Sequence, residues 1–95
     1  MDITRGDFTW DLEKERKNIE KHGVNFETAC EAFRDQSCQI IDNTGHSFHE
    51  RRFYCIGQVE GRILTVRFTH REGRIRVIGA GFWRKGRKLY EAKQL

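Results

Sequence analysis

The sequence has no proline, a single methionine and only three cysteines, Cys30, Cys38 and Cys55. Three thiols cannot all pair within one chain, none stands in a Cys-x-x-Cys pair, and no histidine falls at zinc-finger spacing from them. This argues against a disulfide framework or a structural zinc. Structural thiols are expected instead, because Cys30 and Cys55 fall on apolar positions where free cysteine acts as a small hydrophobe. No apolar run approaches the roughly 20 residues of a membrane span. The first seven residues show no basic segment followed by an apolar one, so no secretory signal is expected and a cytoplasmic location is. With no proline-rich stretch, low-complexity segment or repeat to mark a linker, residues 1–95 are expected to form one domain.

Acids are scarce in the second half of the chain. Residues 1–50 carry 6 Lys+Arg against 11 Asp+Glu, a balance of −5, whereas residues 51–95 carry 12 against 3, a balance of +9. The net charge of +4 therefore conceals a strongly basic half, the electrostatic footprint of a protein that meets a polyanion or an acidic partner. Metal-dependent nuclease chemistry needs clustered carboxylates. Those of the basic half, Glu60, Glu72 and Glu91, are scattered, so no metal and no cofactor is expected.

Apolar patterning supplies the fold. Phe8-Thr9-Trp10 reads as a short edge strand. Asp11 offers a capping oxygen to a helix over residues 12–22, with acids early and Lys21 and His22 in the last turn, as the helix dipole favours. Gly23 closes it as a left-handed cap with Val24 as the hydrophobic contact. Asn25 caps a second helix, in which Phe26, Ala29, Cys30 and Phe33 recur at the spacing of a buried stripe. The period then changes to two. Residues 39–42 read as a strand, residues 43–50 as a polar loop, and residues 52–59, 62–69 and 74–80 as three further strands. A Glu60-Gly61 hairpin and a longer Arg71-Glu72-Gly73 loop join them into an antiparallel meander. Residues 84–93 read as a closing helix. Helices grouped before a sheet point to an α+β fold with N-terminal helices on one face of the antiparallel sheet, and with helices covering that face only.

Alternation divides the meander into two faces. Phe53, Cys55, Val59, Leu64, Val66, Phe68, Ile75 and Val77 form the core side. Arg52, Tyr54, Ile56, Gln58, Ile63, Thr65, Arg67, Thr69, Arg74, Arg76 and Ile78 form the other, which carries four arginines and no acid. Guanidinium forks match phosphate oxygens and a tyrosine ring can stack on a base, so this face is a candidate RNA surface. Among the histidines, His46, His49 and His70 are acid–base candidates, with an idle exposed role the simpler reading of each. His22 reads as a helix-end residue, and Trp10 and Trp83 as buried anchors.

Several segments then carry a resemblance to a known family. Trp10-Asp11 with Asn18, Lys21-His22-Gly23-Val24, Phe26 and Ala29 look like the N-terminal signature of BrnT-type toxins. Glu50-Arg51-Arg52-Phe53, Ile56-Gly57, Arg62 through Val66 and Gly73-Arg74-Ile75-Arg76-Val77-Ile78 resemble that family's sheet, and Tyr90-Glu91 its closing helix. The ordered set spans roughly residues 8–92. The resemblance implies a RelE-like fold, the toxin half of a bacterial type II toxin–antitoxin pair, and endoribonuclease cleavage that halts translation. It also implies a ribbon-helix-helix antitoxin as partner, with DNA reached only through that antitoxin. Arg67, Arg76 and His70 are then the candidate catalytic residues, and Arg52, Tyr54, Arg74, Arg84 and Lys85 the candidate RNA contacts.

The resemblance breaks where chemistry would concentrate. The family usually shows Ser-Ala-Arg after its last strand, and this chain has Gly79-Ala80-Gly81; a Glu-Arg pair is common near the final helix, and here Gly86-Arg87 stands. Either Arg84 or Lys85 reaches back to substitute, or the copy is attenuated. Two rivals remain beside the ribonuclease: a module that grips RNA without cutting it, and a domain whose basic half holds only an acidic antitoxin.

Overall fold

The computed structural model describes residues 1–46 and 49–93. Of the polar loop expected over residues 43–50, Ser47, Phe48 and the side chain of the acid–base candidate His46 lie outside the described residues. The elements run β1 (Asp2–Arg5), β2 (Phe8–Asp11), α1 (Leu12–His22), α2 (Phe26–Glu31) continued by a 3-10 turn (Ala32–Arg34), β3 (Gln39–Asp42), β4 (Phe53–Val59), β5 (Arg62–Arg71), β6 (Arg74–Gly81) and α3 (Arg84–Lys93). This is an α+β architecture built on one six-stranded sheet, in the order β1-β2-β6-β5-β4-β3.

The expected local signals hold. Asp11 accepts from the Lys14 amide at 3.0 Å and Asn25 from the Thr28 amide at 2.7 Å, so each caps the helix that follows it. Gly23 adopts a left-handed φ of 70° and its N–H meets the Ile19 carbonyl. Glu60 and Gly61 both take positive φ, as a two-residue hairpin turn requires. β5 runs two residues further than its pattern suggests and pairs Arg71 with Arg74. The loop expected at Arg71-Glu72-Gly73 is therefore the two-residue turn Glu72-Gly73.

Three features correct the sequence reading. The sheet is mixed: β2 runs parallel to β6, pairing Phe8 with Ile75 and Thr9 with Arg76, while the other neighbours are antiparallel. Its outermost strand, β1, was invisible because its four residues are mostly exposed and carry no alternating apolar pattern. The third correction concerns the helices. The α2 stripe does pack on the core side, where Phe26 and Ala29 are fully buried. α3, however, lies on the opposite face. Gly86 sits so close to it that a Cβ there would come within 1.9 Å of Thr65 Oγ1, and Ile56, Thr65 and Thr69 are buried rather than open. The second face is thus only partly free.

The core side follows the alternation. Cys55, Leu64, Val66, Phe68 and Val77 are buried in one cluster with Trp10 and Phe26. Gly57 belongs to the same side, because a side chain there would strike the Ala32 carbonyl oxygen at 2.2 Å. Cys30 and Cys55 are buried free thiols. Desolvation pushes the Cys30 thiol up to about 12 and the Cys55 thiol up as well, as inert packing residues require.

α1 does not cover a face. It lies beside the C-terminal half of β6, beyond the last pair that β2 makes. There the buried Asn18 amide donates to the Ala80 carbonyl at 2.9 Å and accepts from the Ala80 N–H at 3.1 Å, doing for β6 what a neighbouring strand would do. A second bond, to the Val24 carbonyl at 2.9 Å, ties the turn after α1 to the same group. Among the described residues no helix is long and apolar enough to cross a membrane.

Candidate nucleic-acid interface

On the partly free face, Arg67 and Tyr54 stand directly opposite one another on β5 and β4. The next position across β6 is Gly79, paired with Arg67. A side chain at Gly79 would meet the Arg67 guanidinium at 2.6 Å, so the arginine lies across the bare backbone of that glycine. The sheet slips by one residue between Arg67 and Phe68. Phe68 pairs with Val77, and Ile78 becomes the extra residue of a β-bulge beside the guanidinium.

Arg52 reaches the same place from the strand entry. Its backbone is fixed by the Asn43 N–H, which donates to the Arg52 carbonyl at 2.7 Å, and by Thr44 Oγ1, which accepts from the Arg52 N–H at 3.2 Å. Upstream, the exposed Asp42 carboxylate is held down to about 2 by hydrogen bonds from the Thr44 side chain and amide and from Arg51, which pins this turn. The Arg52 guanidinium is bound to Glu50 at 3.3 Å, yet its Nε is buried without a hydrogen-bond partner. Asn43 Nδ2 donates to the Tyr54 hydroxyl at 3.1 Å and orients the ring.

Asn43, Arg52, Tyr54, Arg67, Ile78 and Lys85 together line a cleft of about 410 Å³. Arg52, Arg67 and Ile78 continue into a shallower groove whose far wall is α1, with Lys14, Lys17, Lys21 and His22. Placing α1 along β6 therefore brings the basic residues of the acidic half against those of the basic half. Charge per segment could not show this; the Asn18 bonds cause it.

Other candidates are not brought together. His70 points to the core side, where its ring meets Phe53 and Phe68 at 5.4 and 5.6 Å, and the sheet separates it from Arg67. His70 stands three positions after Arg67 on β5, so alternation puts the two on opposite sides of the sheet. Arg76 shares the face but is tied to Asp2 at 2.9 Å, with its side chain 13% exposed. It thus anchors β1, a strand the sequence reading lacked. Arg74 sits at the far hairpin, donating to the Gly6 carbonyl at 3.3 Å. Arg84 lies at the start of α3, outside the cleft that holds Lys85.

Of the two tryptophans expected as buried anchors, one is and one is not. Trp10 is a buried anchor, 1% exposed, its indole N–H donating to Glu15 at 3.2 Å. Trp83 is only half-buried. Its indole lies across Gly81, where a Cβ would come within 2.4 Å of the ring. His22 meets the Trp83 ring edge-on at 5.2 Å, and the Arg67 guanidinium stands 5.9 Å from its centre. Gly79 and Gly81 thus make the beds on which Arg67 and Trp83 lie. Of the described imidazoles, His22 alone lines the cleft and its groove.

Among the described residues no three His, Cys, Asp or Glu gather as a metal site would require. The arrangement offers fixed guanidinium groups, ammonium groups, a tethered phenol and one imidazole along a concave strip. That chemistry suits a phosphodiester: cations for its oxygens, rings for its bases, and a group able to carry a proton. The family described as the ribonuclease toxin BrnT of type II toxin–antitoxin systems matches residues 10–86 of the chain. No curated protein matches it.

Proposed function

The chain belongs to the BrnT family of ribonuclease toxins of type II toxin–antitoxin systems, and on that premise we propose that it cuts RNA in the Arg67 cleft without a metal ion. The observation that carries this reading is the convergence of Arg52, Arg67, Tyr54 and Lys85 on one cleft, with Arg67 laid over Gly79. The fold would then be a RelE-like one. Cleavage would halt translation, and a ribbon-helix-helix antitoxin would neutralise the protein by covering the same cations.

The chemistry asks little of the protein beyond placement and charge. The 2′-oxygen attacks the adjacent phosphorus as the bond to the 5′-oxygen breaks, leaving a 2′,3′-cyclic phosphate and a 5′-hydroxyl. Arg67 is placed to neutralise the charge that builds on the non-bridging oxygens, with the Arg52 guanidinium on the same cleft as a second positive charge. Tyr54 positions the neighbouring nucleotide. His22, in the same groove, is the group available to move the proton between the attacking and leaving oxygens. Arg76, Arg74 and His70 take no part in this arrangement, while Lys85 adds positive charge from α3.

The test is cleavage of an end-labelled RNA by purified protein. Arg67→Ala is expected to slow it by roughly 100-fold, the usual cost of losing one charge-stabilising donor. The melting temperature should hardly move, because the side chain is exposed and its loss leaves no core cavity. Excess EDTA should leave the wild-type rate unchanged. A rate that collapses on chelation and returns with Mg²⁺ would overturn the metal-free mechanism. Cleavage undiminished in Arg67→Ala would remove the cleft as the site, and RNA binding without cleavage would leave a gripping module.

A further inference from the structure

The arginines divide into two groups. Arg5, Arg16, Arg51, Arg52, Arg71 and Arg76 each lie within 3.4 Å of a carboxylate. Arg62, Arg67, Arg84 and Arg87 have no ion-pair partner among the described residues, and these four surround Trp83. Two other unpaired arginines, Arg34 and Arg74, lie elsewhere. Concentrating unpaired guanidinium groups in one place costs self-repulsion that an arriving anion relieves.

The first turn of α3 divides the second face of the sheet. On one side is the Arg67 cleft. On the other is a separate cavity of about 660 Å³, lined by Arg62, Phe82, Trp83, Arg84 and Arg87, with Glu91 the one acid in its wall. Trp83 stands between the two, near Arg67 on one side and forming the cavity wall on the other. The Arg62 guanidinium is stacked 3.8 Å above the Phe82 ring, which fixes its plane and leaves its N–H groups free. Tyr90 also lines the cavity, but its hydroxyl is spent on Asp35 at 2.6 Å.

We propose that this cavity is a further nucleotide subsite, in which the nucleotide of single-stranded RNA next to the two that flank the scissile phosphate in the cleft seats its base against Trp83 and its phosphate among Arg62, Arg84 and Arg87. The proposal rests on the reading of the Arg67 cleft as the RNA site and extends it along the strand. Rings beside unpaired guanidinium groups match a ligand that carries a planar base beside every anion. An acidic peptide would use the cations but leave the rings without purpose. The substrate is then single-stranded and spans both sides of α3, since a duplex keeps its bases stacked on one another.

The experiment uses 2′-O-methyl RNA, which lacks the attacking hydroxyl and stays intact. Binding of a fluorescein-labelled mixed-sequence hexamer is followed by anisotropy, and that of a dinucleotide by quenching of tryptophan emission. Arg62→Ala and Arg87→Ala should each weaken the hexamer about tenfold, a typical loss for one stacking or phosphate contact. They should change dinucleotide binding less than twofold, whereas Arg67→Ala weakens both. Arg62→Lys keeps the charge and loses the planar stack, so it should fall between Ala and wild type at an unchanged melting temperature. Hexamer affinity unaltered in Arg62→Ala and Arg87→Ala overturns the subsite. So does retained RNA affinity alongside lost binding of the antitoxin, which would make the cavity a protein interface. An effect of Arg62→Ala and Arg87→Ala with none of Arg67→Ala would instead remove the cleft reading and leave the cavity as the RNA site.

Discussion

At the scale of single residues, the informative positions are those where a side chain is missing. Read as sequence, Gly79 and Gly81 look like lost function, and restoring the family's pattern should raise activity. The structure reverses that sign. Serine at 79 would contest the space of the Arg67 guanidinium, and arginine at 81 would push the Trp83 ring off its bed, at 2.6 and 2.4 Å respectively. The Gly79→Ser, Gly81→Arg double variant is therefore expected to cut RNA more slowly than wild type, by roughly tenfold or more. Side-by-side single-turnover rates would decide it, and a faster double variant would show that the glycines attenuate after all. The same geometry explains why sequence reasoning misjudged Trp83. A tryptophan near a chain end reads as an anchor unless one knows that the residue two places earlier lies under its ring.

At the scale of elements, short-range signals were legible and long-range ones were not. Caps, the α2 stripe, the Glu60-Gly61 turn and the core side of β4 and β5 each depend on residues within a few positions of one another, and each could be read. The parallel pairing of β2 with β6, the bulge at Ile78 and the seating of α3 through Gly86 depend on partners far along the chain. None leaves a local pattern. The candidate site suffered accordingly: Arg52, Tyr54, Arg67 and Lys85 come together, whereas the wall from α1 could not be foreseen. Asn18 is what makes α1 that wall. Asn18→Ala should cost about 2–4 kcal/mol, because it strips both backbone groups of Ala80 and the Val24 carbonyl of buried partners. Urea melts would measure it. A loss under about 0.5 kcal/mol would mean that water takes over these bonds.

At the scale of the whole molecule, Asp35 links the core-side helix region, the sheet and α3. It accepts from Tyr90 Oη at 2.6 Å, the Gln58 N–H at 2.7 Å and the Ser37 N–H at 2.9 Å. Desolvation alone would raise its carboxyl, but those three bonds outweigh it and the net direction is down. The bond to Asp35, aided by desolvation, pushes the Tyr90 phenol up to about 12. Linkage then gives opposite limbs. A depressed carboxyl stabilises the fold above its unfolded range and loses that contribution as pH falls through about 4. A raised phenol stabilises it below about 10 and loses that contribution as pH rises toward 12. Asp35→Asn should melt roughly 5 °C below wild type at pH 7, with the gap closing below about pH 4. Tyr90→Phe should show a gap that closes between pH 10 and 12. A gap constant across either range would mean that the pair does not hold α3 to the sheet.

The pairing of Phe8 with Ile75 also sets an order of events during synthesis. The first strands to leave the ribosome have no place in the sheet until β6, one of the last elements made, has emerged. Until then α1 has no Ala80 to bind, its lysines have no Arg67 to face, and Arg67 has no Gly79 to lie upon. An incomplete chain therefore carries Arg52, Arg67 and the α1 lysines but not the cleft that gathers them. On the proposed reading of the cleft, the chain gains its cutting site only when β6 closes the sheet.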